Sequence, residues 1–244
     1  MPRARTPPAL AAALAAAREA RGRGDLGEAA RLAGEAVRRF GDDPEALCEL
    51  GRVALAARLP ERAEEAFSRA LRRDRGHAAA LLGLGEAHAL VGDYAAAAER
   101  FAAAIERGSG GEAQLGLGRA LVELGRADAA DEAFARAEAA APDDPAPRLH
   151  RADLARLRGR LEQAIAGYRD ALARAPGHAL ARANLGLTLC AAGDRAAGLA
   201  ALAEATAAAP DDPRLWIERA QAELAGAPER ALADWIESNP RDLA

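Results

Sequence analysis

The 244-residue chain carries 33 cationic and 37 acidic side chains, a formal net charge of -4, and is half apolar by count but only 3% aromatic. A half-apolar chain with balanced charge can bury a core, which excludes a disordered tail, and an isoelectric point near 5.7 excludes a strongly basic nucleic-acid binder. Every cation is Arg, with no Lys anywhere, and Ala is the commonest residue, a bias of genome composition that points to a bacterium.

From the N-terminus, residues 1–8 read as a disordered leading segment. Ala9 to Ala17 then forms an apolar run behind Arg3 and Arg5, superficially similar to a secretory signal. The run is mostly Ala, with only Leu10 and Leu14, and Arg18 ends it without a Leu-rich centre. The expectation is a cytoplasmic protein; cleavage near Ala17 would instead favour export to the periplasm. Cys48 and Cys190 are too few and too far apart for a disulfide framework or a zinc site, so a reducing compartment is the default. No stretch of 18 or more apolar residues exists, and no membrane span is expected.

Three landmarks then recur in one phase. Leu50-Gly51, Leu84-Gly85, Leu117-Gly118 and Leu185-Gly186 repeat at or near multiples of 34 residues, with Arg151-Ala152 holding the register between the last two. Gly92, Gly125, Gly159 and Gly193 follow about seven residues after Gly85, Gly118, Ala152 and Gly186. Next come Ala63/Phe67/Ala70, Ala97/Phe101/Ala104, Ala130/Phe134/Ala137 and Ala164/Tyr168/Ala171, with Gly198/Leu202/Ala205 as a degraded copy. Pro142, Pro176 and Pro210 close three units.

Within one unit, Leu81, Leu84, Gly85 and His88 occupy one face of a helix, and Ala97, Phe101 and Ala104 mark the facing stripe of the next. A glycine inside a helix costs about 1 kcal/mol against Ala, so the return of Gly85 at a fixed phase needs close approach of two helix backbones as compensation. A pair of helices roughly 20 Å long cannot bury both its faces alone, and neighbouring units must cover them, which makes a solenoid.

These residues resemble the tetratricopeptide repeat (TPR) pattern, a 34-residue helix-turn-helix unit with small residues at the helix crossing. The resemblance covers about Ala9 to the C-terminus. It implies an all-α fold, an α-solenoid wound as a right-handed superhelix, forming a single domain over 9–244 of about seven units: 10–43, 44–77, 78–110, 111–144, 145–178, 179–212 and 213–244. The outer units are ragged. The first has Ala16-Ala17 in place of Leu-Gly, and the last carries Trp216 and then Ala231/Trp235 about one residue early.

Several features mimic chemistry. Asp42-Asp43-Pro44, Asp143-Asp144-Pro145 and Asp211-Asp212-Pro213 suggest a carboxylate cluster for a divalent cation, but all share one phase before a helix, so they read as helix caps. His77 and His178 occupy the same capping phase, His88 lies on an interior face, and His150 precedes the ragged Arg151-Ala152. The only serines are Ser68, Ser109 and Ser238, none in a Gly-x-Ser-x-Gly setting. Gly108-Ser109-Gly110-Gly111 lacks the Gly-Lys-Ser/Thr of a phosphate loop and reads as a connector. Arg21-Gly22-Arg23-Gly24 is a single copy at a turn, too little for an RNA-binding tract. No catalytic residue, metal site or cofactor is expected.

By the resemblance, the first helix of each unit lines a concave groove that holds peptides or partner helices. Carried over by phase, that groove takes Cys48, Arg52 and Leu55; Leu82 and Glu86; Leu115, Arg119 and Val122; and Leu149, Asp153 and Arg156. The alternative is that these Leu residues fill the core between helices. An apolar floor with sparse charges of both signs suits an amphipathic helix or a partly apolar extended segment, and not a phosphate backbone. The Lys, Asn and Arg clamp of chaperone-binding TPR domains is absent: Cys48, Leu82 and Leu115 stand where Lys is wanted, and Arg52, Glu86 and Arg119 where Asn is. After Leu232, Trp235 and Ile236 only Asn239 to Ala244 remain, too few for a covering helix, so this end is expected to pack on another chain. The function expected is a non-enzymatic scaffold for a protein or peptide partner, the alternative being an exported or membrane-peripheral assembly or secretion factor.

Overall fold

The structure is a computed structural model that describes residues 7–225. Over these the chain forms thirteen α-helices and no strand. In order they are α1 (Pro8–Gly22), α2 (Leu26–Phe40), α3 (Pro44–Ala56), α4 (Pro60–Arg73), α5 (Ala78–Leu90), α6 (Tyr94–Glu106), α7 (Gly111–Glu123), α8 (Ala127–Ala140), α9 (Ala146–Leu157), α10 (Leu161–Arg174), α11 (Ala179–Ala191), α12 (Arg195–Ala208) and α13 (Pro213–Leu224). The all-α repeat architecture expected from the landmarks is therefore present as six hairpins, with α13 as the first helix of a seventh. The segment holding Leu232, Trp235 and Ile236 lies outside the described residues. Two compact units divide the chain after Ala140. The first holds α1–α8 and the second α9–α13.

Helix ends follow local chemistry. The Asp43 carboxylate accepts from the backbone N–H groups of Glu45 and Ala46, that of Asp144 from Ala146, and that of Asp212 from Arg214. His77 and His178 cap in the same way, each ring Nδ1 accepting from the backbone N–H three residues on. The paired acids and both imidazoles thus do the capping work their phase predicts. The second helices α2, α6 and α12 are capped by Asp25, Asp93 and Asp194, each following a glycine at positive φ.

The turn inside each hairpin needs one residue in the left-handed region, and Gly92 supplies it at φ 81°. Between α3 and α4 the same phase is occupied by Arg58 at φ 57°, the one non-glycine residue at positive φ among the described residues. A side chain there is strained by about 1 kcal/mol or more. Arg58→Gly is expected to raise stability by about 0.5–1 kcal/mol, read as a higher urea midpoint; an unchanged or lower midpoint would show that the turn carries no strain.

Packing in the first unit rests on phenylalanine rings wedged between glycines. A Cβ placed on Gly51 of α3 would come 2.6 Å from Phe67 Cζ of α4, and one on Gly83 of α5 would come 2.2 Å from the same atom. Phe101 stands likewise between Gly85 of α5, 2.8 Å, and Gly116 of α7, 2.7 Å. Phe134 meets Gly118 at 2.4 Å. Each ring therefore fills a slot cut by its own hairpin, and for Phe67 and Phe101 the next hairpin cuts the other wall. The small Ala residues flanking these rings, Ala63, Ala70, Ala97 and Ala104, are buried with them.

The Ala9–Ala17 run forms most of α1, whose Leu10 and Leu14 are 1% and 2% exposed and pack with Ala36 and Ala46. Along this unit the first helices also touch one another, α1 on α3, α3 on α5 and α5 on α7, and make one continuous row.

The second unit keeps the plan with different side chains. Tyr168 replaces the phenylalanine, and its hydroxyl donates to Asp153 Oδ1. Asn184 of α11 stands at the phase of Gly83 and donates through Nδ2 to that same oxygen at 3.0 Å. Around α11 and α12, Leu202 is the ring's counterpart, and its Cγ would lie 2.8 Å from a Cβ on Gly186.

Candidate functional site

The row of first helices in the first unit carries two cavities. One, of about 540 Å³, is bounded by Arg21 of α1, Arg52 and Leu55 of α3, Leu82 and Glu86 of α5, and Glu112 of α7. The other, of about 560 Å³, is bounded by Glu86 and Leu90 of α5, by Leu115 and Arg119 of α7, and by Tyr94 and Phe101 behind them. Glu86 and Glu112 border both.

Five of the residues expected in a groove are thus brought together by this unit: Arg52, Leu55, Glu86, Leu115 and Arg119, while Leu82 corrects the expectation, being only 8% exposed and packed into the core with Ala97, Phe101 and Ala104. Val122 is half-buried on α7 and borders neither cavity. Cys48 corrects the expectation. It is wholly buried, packed with Phe67, Ala80 and Leu84, because the His77 ring at the start of α5 covers it.

In the second unit, Leu149 is half-buried against the cluster of Ala152, Ala164 and Tyr168. Asp153 is a further correction, since its carboxylate is engaged by Tyr168 and Asn184 and brackets α9, α10 and α11 together rather than standing free. Arg156 lies beside the Tyr168 side chain. Burial, then the bond to Asp153, pushes the Tyr168 phenol well above its ordinary range, so it stays a hydroxyl donor.

A Cys–His–Glu line in the first unit has the outline of a nucleophile and base. Cys48 Sγ lies 3.5 Å from His77 Nδ1, and His77 Nε2 lies 3.3 Å from Glu45 Oε1. The geometry serves another purpose. Nδ1 also accepts from the Ala80 N–H, which leaves the ring proton on Nε2, facing Glu45. Burial pushes the Cys48 thiol up to about 12, so no thiolate forms near neutral pH. The His77 hydrogen bond holds the Glu45 carboxyl below its usual range. This is a helix cap braced from both sides.

Sequence reasoning missed the most demanding charge in the unit. Glu49 of α3 is wholly buried, with Arg18 Nε at 3.2 Å, Arg21 Nε at 2.9 Å and Arg52 Nη1 at 3.7 Å. A buried carboxylate needs such partners. The available signal was the phase: Glu49 stands where later units have Gly83 and Gly116, and α2 offers only Ala33 where α4 and α6 offer Phe67 and Phe101.

The Glu86 carboxyl is raised by burial first and by the neighbouring Glu112 second, with Arg52 and Arg119 acting the other way. Among the described residues no group of three His, Cys, Asp or Glu side chains is placed to hold a metal ion, and no helix is long and apolar enough to cross a membrane.

The tetratricopeptide repeat family model matches residues 14–76, 48–112, 91–145 and 115–179, and a second model of the same repeat matches 155–224. No curated protein matches. Solved structures share the fold. PilW, a widely conserved type IV pilus biogenesis factor, is similar with a TM-score of 0.79 at 18% identity, over 87% of this chain and 99% of its own. A thermophilic TPR protein of Thermus thermophilus has a TM-score of 0.65 at 25% identity, over 74% and 99%. YrrB, a TPR protein with an unusual peptide-binding site, has a TM-score of 0.60 at 24% identity, over 78% and 97%. Repeats that match nearly from end to end, built as hairpins locked by glycine and phenylalanine, show that the chain belongs to the tetratricopeptide repeat family, whose members are generally non-enzymatic scaffolds for protein interaction.

Proposed function

We propose that this TPR scaffold binds a peptide or helix of a partner protein along the row formed by α1, α3, α5 and α7, and that it does no chemistry itself. The observation that carries the reading is the pair of adjoining cavities on that row, which set the half-buried Leu55 and Leu115 among charged side chains and meet at Glu86. Apolar contacts with a few charges are what a segment needs to dock by burial and be oriented by ion pairs. The peptide-binding site of YrrB is a precedent for such binding on a TPR protein.

A photo-crosslinking side chain at Leu55 or Leu115 is expected to capture a polypeptide in cells of the source organism, and one at exposed Arg72 of α4 is not. Capture from Arg72 with none from the two groove positions would overturn the reading. We infer residence in a bacterial cytoplasm from the Arg-only cation usage and the two free cysteines. A native N-terminus found cleaved near Ala17 would refute that, and would strip Leu10 and Leu14 from the first hairpin.

A further inference from the structure

The two ends of the Arg21–Glu112 cavity carry opposite charge. At the α1 and α3 end, three guanidinium groups surround the single carboxylate of Glu49, and that carboxylate balances only one of them. Glu45 also acts on Arg18 and Arg52, and Arg21 and Arg52 remain 32% exposed at the cavity wall. At the α5 and α7 end, Glu86 and Glu112 make no hydrogen bond or ion pair with any described residue, although Arg52 stands across the same cavity, because Arg52 leans toward Glu49. Burial first and the like charge of Glu112 second disfavour the ionised form of Glu86 more than Arg52 and Arg119 favour it, and an incoming cation compensates for this. Between the two ends the half-buried Leu55 offers an apolar contact.

We propose that this groove selects a peptide segment carrying both charge signs, with an anionic side chain over Arg21 and Arg52, a cationic one over Glu86 and Glu112, and an apolar residue between them on Leu55. The inference rests on the peptide-groove reading above and adds to it a composition and a direction. A nucleic-acid backbone or a uniformly acidic segment meets repulsion at Glu86 and Glu112, and a uniformly basic segment meets it at Arg21 and Arg52. Ion pairs of this kind set orientation and partner choice more than raw affinity.

The test is a random dodecapeptide library displayed on phage and selected on the immobilised full chain. Enriched peptides are expected to hold Lys or Arg and Asp or Glu at a fixed separation around an apolar residue. The best of them, made synthetically, is then titrated by fluorescence anisotropy. The variant carrying Glu86→Gln and Glu112→Gln, with helix content checked by circular dichroism, is expected to bind about tenfold more weakly. Replacing the cation of the peptide by norleucine should give the same loss on the parent chain and little further loss on that variant.

Enriched peptides that are uncharged or of one sign, or an affinity the two Gln substitutions leave unmoved, overturn the charge proposal. In those cases the groove reading stands if Leu55→Arg still abolishes binding. No enriched peptide, or peptides indifferent to Leu55→Arg, brings down the groove reading itself and the proposal with it. Sedimentation showing a dimer that Glu86→Arg disperses would identify a second copy of the chain as the occupant and would also overturn the proposal.

Discussion

Gly83→Leu is expected to cost the first unit about 3 kcal/mol, and Gly83→Ala about 2 kcal/mol, even though Ala is the better helix former by about 1 kcal/mol. A Cβ at residue 83 falls 2.2 Å from Phe67 Cζ, and Phe67 cannot retreat, because Gly51 holds the opposite side of the ring at the equivalent of 2.6 Å. In a core packed to crystal density the strain has no exit except separation of α4 from α5. Truncating the ring makes room. Phe67→Ala alone is expected to cost about 3–5 kcal/mol, while the double variant should cost less than the sum of the two singles by about 1–3 kcal/mol. Gly118→Leu is expected to behave like Gly83→Leu, since its Cβ falls 2.4 Å from Phe134. Urea unfolding reads all of these. Additive costs at residues 67 and 83, or an unchanged midpoint for Gly118→Leu, would mean that the rings do not set the helix crossing.

The second large effect centres on Glu49. Removing both α1 partners with Arg18→Ala and Arg21→Ala is expected to destabilise the first unit by about 2 kcal/mol, because a wholly buried carboxylate is left with Arg52 alone at 3.7 Å. The figure is set below that for a fully enclosed pair because both guanidinium groups are partly exposed. Adding Glu49→Leu to that variant should restore most of the loss, since the penalty belongs to the orphaned charge and not to a missing attraction. If the triple variant unfolds as early as the double, the role of the arginines is packing of their stems against α3.

The two results bear on what the sequence made legible. The Leu-Gly and Ala-x-x-x-Phe landmarks sufficed for hairpins, phase and caps, because each landmark answers a local steric demand: a crossing that admits no Cβ, a helix start that needs an acceptor. They named Gly85 and Gly118 as crossing points. They did not reveal Gly83 and Gly116, the far walls of the slots holding Phe67 and Phe101, because that demand comes from the adjacent hairpin. Phase alone also failed to separate Cys48, Leu82 and Leu115. All three hold one position in the repeat, yet Cys48 and Leu82 are buried and Leu115 half-buried, according to what the following helix lays over them. Asp153 shows the same gap: its phase is right for a groove, but Tyr168 and Asn184, substituted where earlier units have Phe and Gly, claim its oxygen.

A ring seated between one glycine of its own hairpin and one of the next acts as a standard coupling. Because Phe67 and Phe101 each end on the same pair of fittings, the module from residue 78 to 110 could be excised by recombination, and Phe67 would then face Gly116 as it now faces Gly83. The hairpin before it is not interchangeable in this way, since α2 presents Ala33 at the ring's phase and would leave Gly83 facing a hole. Gene length can therefore drift by whole modules in the middle of the first unit, while the hairpin of α1 and α2, keyed to α3 by Glu49 and its arginines, cannot be exchanged for one of them.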